Sequence, residues 1–190
     1  MIAYARRARG SCLAVANDAW MIRALLAATT ALVASTNLSV SSGDLGAYQL
    51  IPKTFMAVRC GGENHSPSLS WRGVPHGTAS LALIMHDPDA PMPGGFFHWV
   101  VYNLPAQTRS LPRDVKLSVD QLGITSARMA AYHGPCPPPG PAHHYIFTIY
   151  ALDIARVAAS TPLDGPQLER QIVGHVLAKG VFEATAETQR

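Results

Sequence analysis

Three segments of this chain hold side chains able to do chemistry together. The first is His86-Asp87-Pro88-Asp89-Ala90-Pro91, with two carboxylates set two residues apart among prolines. Proline removes a backbone donor and fixes φ, so this run reads as a stiff loop rather than sheet. Asp87 and Asp89 there either rim a polar pocket or bond local backbone amides in a turn. The second segment is Phe97-His98-Trp99-Val100-Val101. An imidazole buried in so apolar a run needs a hydrogen-bond partner, and Asp87 is the expected one. Strict alternation predicts Phe97, Trp99 and Val101 on one face, with His98 and Val100 on the other. The third runs from Tyr132-His133 through Gly134–Pro141, five prolines in eight residues, into His143-His144-Tyr145. Prolines at this density make a rigid connection, and Gly134 permits close approach of a ligand to the backbone. His143 and Tyr145 share one side of the following strand, with His144 on the other.

Taken alone, these groups fit more than one chemistry. Asp87, His98 and His143 supply an acid–base set for a hydrolase, but no Gly-x-Ser-x-Gly nucleophile turn accompanies them. His86, Asp87, Asp89 and His98 offer nitrogen and oxygen ligands that suit zinc, without a His-x-x-x-His pair or a Cys-x-x-Cys cluster in support. A lone histidine in an apolar strand is more often a satisfied core residue than a catalyst, and aspartates beside prolines are more often turn formers. A polyproline recognition segment usually sits in a disordered tail, whereas this one leads straight into an apolar strand.

The elements that position these groups are mostly strands. Ser80–Met85, Phe97–Leu104 and His144–Leu152 are short apolar or aromatic runs bounded by Gly/Pro turns, the composition of buried strands in an antiparallel domain. Strands 80–86 and 97–104 are expected to be neighbours. Leu168, Ile172 and Val176, with Val173 and Leu177 beside them, predict one amphipathic helix. Asp164 caps it and Pro166 fits its first turn. His175 lies inside that helix and reads as structural or solvent-facing. Residues 37–44 read as a flexible linker, 45–184 as the folded domain and 185–190 as a flexible tail.

The chain has 190 residues, 48% hydrophobic and 14% charged, with 15 glycines and 15 prolines. That is room for one turn-rich domain. The net charge of +3 resides in residues 1–36, where Arg6, Arg7, Arg9 and Arg23 face only Asp18, and the remainder is neutral. A nucleic-acid partner is therefore not expected, since such a protein carries its charge on the folded surface. Arg23, the apolar run Ala24–Ala34 and the small residues Ala34 and Ser35 have the layout of a signal peptide, with Met21 as its natural start. The run is about half of the ~20 residues that span a bilayer. Export to a periplasmic or external space is the expectation. An interfacial anchor, an organelle transit peptide or a helix packed on the domain are the alternatives, the last leaving the protein cytoplasmic. Cys12 lies in the leader, and Cys60 and Cys136 are left as either a disulfide or two buried thiols.

In order, Asp-Pro-Asp-Ala-Pro at 87–91, His-Trp-Val-Val-Tyr-Asn at 98–103, Gly-Pro-Cys-Pro-Pro-x-Gly at 134–140 and His-x-Tyr at 143–145 resemble the phosphatidylethanolamine-binding protein family. The nearest likeness is to its bacterial Raf-kinase-inhibitor-like branch, whose Cys-x-Gly-x-Asn-x-Ser-Pro-x-Leu-x-Trp segment is similar to residues 60–71. Each motif is weak by itself; in this order, over roughly residues 45–184, they are specific. The resemblance implies a mostly β fold: a central antiparallel sheet packed against a smaller second sheet, with a peripheral C-terminal helix. It also implies a non-catalytic binding protein, without a cofactor, whose small pocket takes phosphate, acetate or a phospholipid head group. Carried over by motif, the pocket residues are Asp87, His98, Gly134, Pro135, His143 and Tyr145. Two imidazoles, a phenol and a glycine amide would donate to the oxyanion. No Lys or Arg lies in these motifs, so binding should be modest and stronger when the histidines are protonated, with Asp87 holding one of them charged. Some relatives inhibit kinases or serine proteases, and some dimerise, so a regulatory role and a homodimer are further expectations. Two departures stand out. His144 replaces the arginine often found between His and Tyr, and Thr125-Ser126-Ala127-Arg128 stands where the family has Asn-Asp-Phe-Gly. The loop 113–131 is therefore expected to be rebuilt.

Overall fold

Runs of β-branched and aromatic residues between glycine- and proline-rich turns set the architecture. The computed structural model describes residues 37–188; the leader at 1–36 and residues 189–190 lie outside the described residues. Strands β1 (Ser39–Ser41), β2 (Leu69–Arg72) and β5 (Ser110–Leu111) form a three-stranded sheet in the order β1-β2-β5. Strands β3 (Ser80–Asp87), β4 (Phe96–Pro105), β6 (His143–Leu152) and β7 (Val176–Ala186) form a four-stranded sheet in the order β4-β3-β6-β7. All named strand pairs are antiparallel. The large sheet is covered on both faces. On one, Leu81, Leu83, Met85, Phe147 and Ile149 pack with Leu69, Trp71 and Leu111 of the small sheet. On the other, Ala82, Ile84, Val100 and Tyr102 pack under Leu168 and Ile172 of helix α1 (Gly165–Ile172). Double coverage explains why β3 reads as a continuous apolar run rather than an alternating one. No helix among the described residues is long and apolar enough to cross a membrane.

The three expected strands appear, and the first two are neighbours as anticipated. Several boundaries differ. The helix ends at Ile172, because Gly174 takes a left-handed conformation (φ 83°) and the chain turns back. Val176 and Leu177 then open β7, pairing along β6, and His175 sits in the turn with its Nδ1 2.9 Å from Asp153. At the helix start Asp164 accepts from the Gln167 amide and Gln167 reaches back to the Asp164 amide, a reciprocal cap. Residues 37–44, read as linker, bury Leu38 and contribute β1; Thr185 and Ala186, read as tail, belong to β7.

The loop that follows β5 has a clear task. Residues 121–133 run along the open side of β4: Tyr102 donates to Gln121, Gly123 to Val100, Ser126 to Phe97 and His133 to His98. This satisfies backbone groups that an uncovered edge would leave bare. Within β4 the pairing with β3 slips by one residue between Trp99 and Phe97. That bulge overturns the strict alternation expected from sequence: Phe97 joins Val100 and Tyr102 beneath α1, whereas Trp99 and Val101 face the small sheet. His98 and Trp99 thus lie to the same side, which brings the imidazole edge-on to Tyr145 at 5.1 Å between ring centres.

Candidate functional site

The antiparallel register gathers chemistry at one end of the large sheet. β3 ends at Asp87, β4 begins at Phe96 and β6 begins at His143. Asp87, Phe96, His98, His143 and Tyr145 consequently reach one open cleft of about 480 Å3. Ala90, Pro91 and Met92 of the loop after β3 form part of its wall, together with Pro137–Pro139 and the Cys60–Cys136 disulfide. The two cysteines, left open as thiols or a bridge by the sequence, have Cα atoms 5.6 Å apart.

Asp87 is the hub. Its Oδ1 accepts the Asp89 amide at 2.9 Å, so the local turn predicted as one option is present. Its Oδ2 accepts from His143 Nδ1 at 2.9 Å inside the protein, so the pocket option holds at the same residue. His98 is not its direct partner: Nε2 stands 4.0 Å from Asp87 Oδ2, while Nδ1–H donates to the His133 carbonyl at 2.7 Å. Burial pushes His98 down to about 4, outweighing the His133 carbonyl and the Asp87 charge, which both pull upward. His98 is therefore neutral near pH 7. Its only N–H is spent, and Nε2 presents a lone pair. Asp87 therefore does not hold His98 charged, and of the two imidazoles expected to donate, His98 turns an acceptor toward the cleft side. The Tyr145 hydroxyl is buried with no hydrogen-bond partner among the described residues. Burial, then the Asp87 charge and the nearness of its carboxylate to the hydroxyl, raises the phenol, which keeps its proton; the geometry between the two falls short of a hydrogen bond.

The remaining predicted residues take other posts. Gly134 and Pro135 are buried but do not line the cleft. The Gly134 amide donates to Asn64 Oδ1 at 2.7 Å, and the Pro135 carbonyl accepts from Ala57 at 2.9 Å. A Cβ on Gly134 would lie 2.5 Å from the Phe55 carbonyl oxygen; the glycine makes room for the protein's own backbone rather than for a ligand. Asp89 binds the amide and Nδ1 of His144 at 2.8 and 2.6 Å, which ties the loop to the start of β6. His86 stacks on Phe97 and contacts the Gly94 carbonyl at 2.8 Å. The four residues considered for zinc thus take separate hydrogen-bond partners, and among the described residues no group of three His, Cys, Asp or Glu is arranged to hold a metal.

Sequence reading missed Phe96, Met92, Thr188 and Arg59, all of which line the cleft. Phe96 was within reach, two residues before His98 on the same strand. Arg59 was visible only as the neighbour of Cys60, whose bridge carries it to the proline wall.

A model of the family described as Phosphatidylethanolamine-binding protein matches residues 41–187. UPF0098 protein YbcL of Escherichia coli is 34% identical over 177 residues, 88% of this chain and 93% of that protein. YbhB of the same organism is 40% identical over 129 residues, 65% and 82% of the two chains. The crystal structure of Escherichia coli YbcL superposes with a TM-score of 0.74 at 30% identity, covering 80% of this chain and 98% of the other. That of a putative homologue from Chlamydia trachomatis gives 0.72 at 32%, covering 80% and 99%. Two antiparallel sheets, a late helix and a match over nearly all the described residues agree: the chain belongs to the phosphatidylethanolamine-binding protein family.

Proposed function

We propose that the cleft binds a small oxyanion, free as phosphate or acetate or as the phosphoryl end of a lipid head group, without turning it over. The observation that carries this reading is the Tyr145 hydroxyl, buried and unpartnered beside the Asp87–His143 pair. A buried donor left unmade costs about 1–3 kcal/mol, so an acceptor at that point gives the geometry a purpose. Export is the other part of the proposal. The leader's layout supports it, and so does the Cys60–Cys136 bridge, which persists in oxidising compartments. A regulatory target of an exported protein would be a protease rather than a cytoplasmic kinase.

Titration of the full chain with inorganic phosphate, followed by NMR, tests the binding claim. Saturable shifts confined to residues of the cleft, lost in His143→Ala, with no product formed, are the expected result. No shift in the cleft contradicts it. Hydrolysis of a phosphate or carboxylate ester that disappears in His143→Ala would instead favour a hydrolase built on the Asp87–His143 pair.

A further inference from the structure

The floor of the cleft is poorly equipped, by itself, to hold an anion near neutral pH. Asp87 brings a negative charge, His98 is neutral with its N–H committed to the His133 carbonyl, and the His143 Nδ1–H is committed to Asp87. The permanent cation among the lining residues is Arg59. Its guanidinium makes no ion pair or hydrogen bond with the described residues, whereas Arg113 and Arg156 are held by Asp44 and Asp120.

The backbone under Arg59 is fixed from both sides. It occupies a single 3-10 turn, Val58–Cys60, closed by Gly61 donating to Val58 at 2.9 Å. Ala57 donates to Pro135, and Cys60 is bonded to Cys136, the residue before the proline wall. The turn and the wall are thereby locked together at the mouth of the cleft. Arg59's charge is felt inward as well: after burial, it is the second cause holding His133 below the usual histidine range.

We propose that Arg59 is the anion-recognising residue of the cleft and that the Cys60–Cys136 bridge is its positioning device. The proposal rests on the oxyanion reading above. A guanidinium presents paired N–H donors that match phosphate oxygens, and such charge-assisted bonds exceed neutral ones. Arg59 offsets the Asp87 carboxylate and makes the cleft prefer an oxyanion to a neutral solute.

Calorimetric titration of the full chain at pH 7.5 with inorganic phosphate and, separately, with glycerophosphoethanolamine decides it. The tighter of the two identifies free anion or lipid head group as the source. R59Q should weaken both by about tenfold or more; Arg59 is exposed, so this variant folds. The C60S/C136S pair should weaken phosphate several-fold, and adding it to R59Q should cost nothing further, because the bridge acts through Arg59. Phosphate binding unchanged in R59Q overturns the proposal while leaving the oxyanion reading intact. Losses that simply add in the triple variant overturn the positioning role. A wild-type chain that binds neither compound overturns both this proposal and the reading beneath it.

Discussion

Replacing His98 by asparagine should remove an acid sensitivity that its burial builds into the fold. The amide of asparagine keeps the donor toward the His133 carbonyl, which His98 Nδ1 bonds at 2.7 Å, but does not titrate. In the wild type the folded value is about 4 against 6.5 unfolded, so between these values the unfolded chain binds more protons. Stability from this group is present above pH 6.5 and is lost as pH falls toward 4. Between pH 7 and pH 4.5 the loss is about 2 kcal/mol, at 1.36 kcal/mol per pH unit of separation. His133, lowered by burial and by Arg59, acts in the same direction, and His144, raised by Asp89, acts in the opposite one. Both remain in the variant and cancel in the comparison. Urea unfolding of the two proteins at pH 7 and 4.5 measures the difference, with the denaturant slope as the two-state check. The wild type should lose about 2 kcal/mol more than His98→Asn. Equal losses would refute the claim that His98 is buried neutral.

Three further outcomes follow from the same geometry. Tyr145→Phe removes a hydroxyl without a protein partner, so thermal unfolding should show stability unchanged or raised by up to about 1 kcal/mol, while phosphate affinity by calorimetry falls about tenfold. Gly134→Ala drives a Cβ into the Phe55–Ala57 backbone and should cost about 2 kcal/mol or more in urea unfolding; a neutral result would contradict the claim that this glycine makes room for the protein's own backbone. The C60S/C136S pair opens a link across 76 residues and should cost about 4 kcal/mol by the same measurement, so a cost below about 1 kcal/mol would deny the bridge a structural role.

The strands that carry the site were legible because their composition is strong: β3, β4 and β6 were each expected within two residues of their ends. The strands β1, β2 and β5 are two to four residues long and depend on pairing partners far along the chain, which no local pattern reveals. Leu168 to Leu177 read as one helix because an apolar spacing of four continues through Val176. The left-handed Gly174 divides it, and β6 captures the second half as strand. Asp87, His98, His143 and Tyr145 do lie together, yet their wiring differs from the expected one. The bulge in β4 and the loop along its edge hand His98 to a backbone carbonyl rather than to Asp87. Gly134 shows the same limit: its type announces a close approach but not of what. Arg59 escaped because its place depends on a disulfide between residues 76 apart.

The most direct measurement is a crystal structure of the full chain grown with phosphate at pH 7.5. The account predicts an oxyanion in the cleft within hydrogen-bond distance of the Tyr145 hydroxyl, with the Asp87–His143 contact intact. A cleft holding only water at saturating phosphate, or a Tyr145 hydroxyl bonded to another protein group, would contradict it.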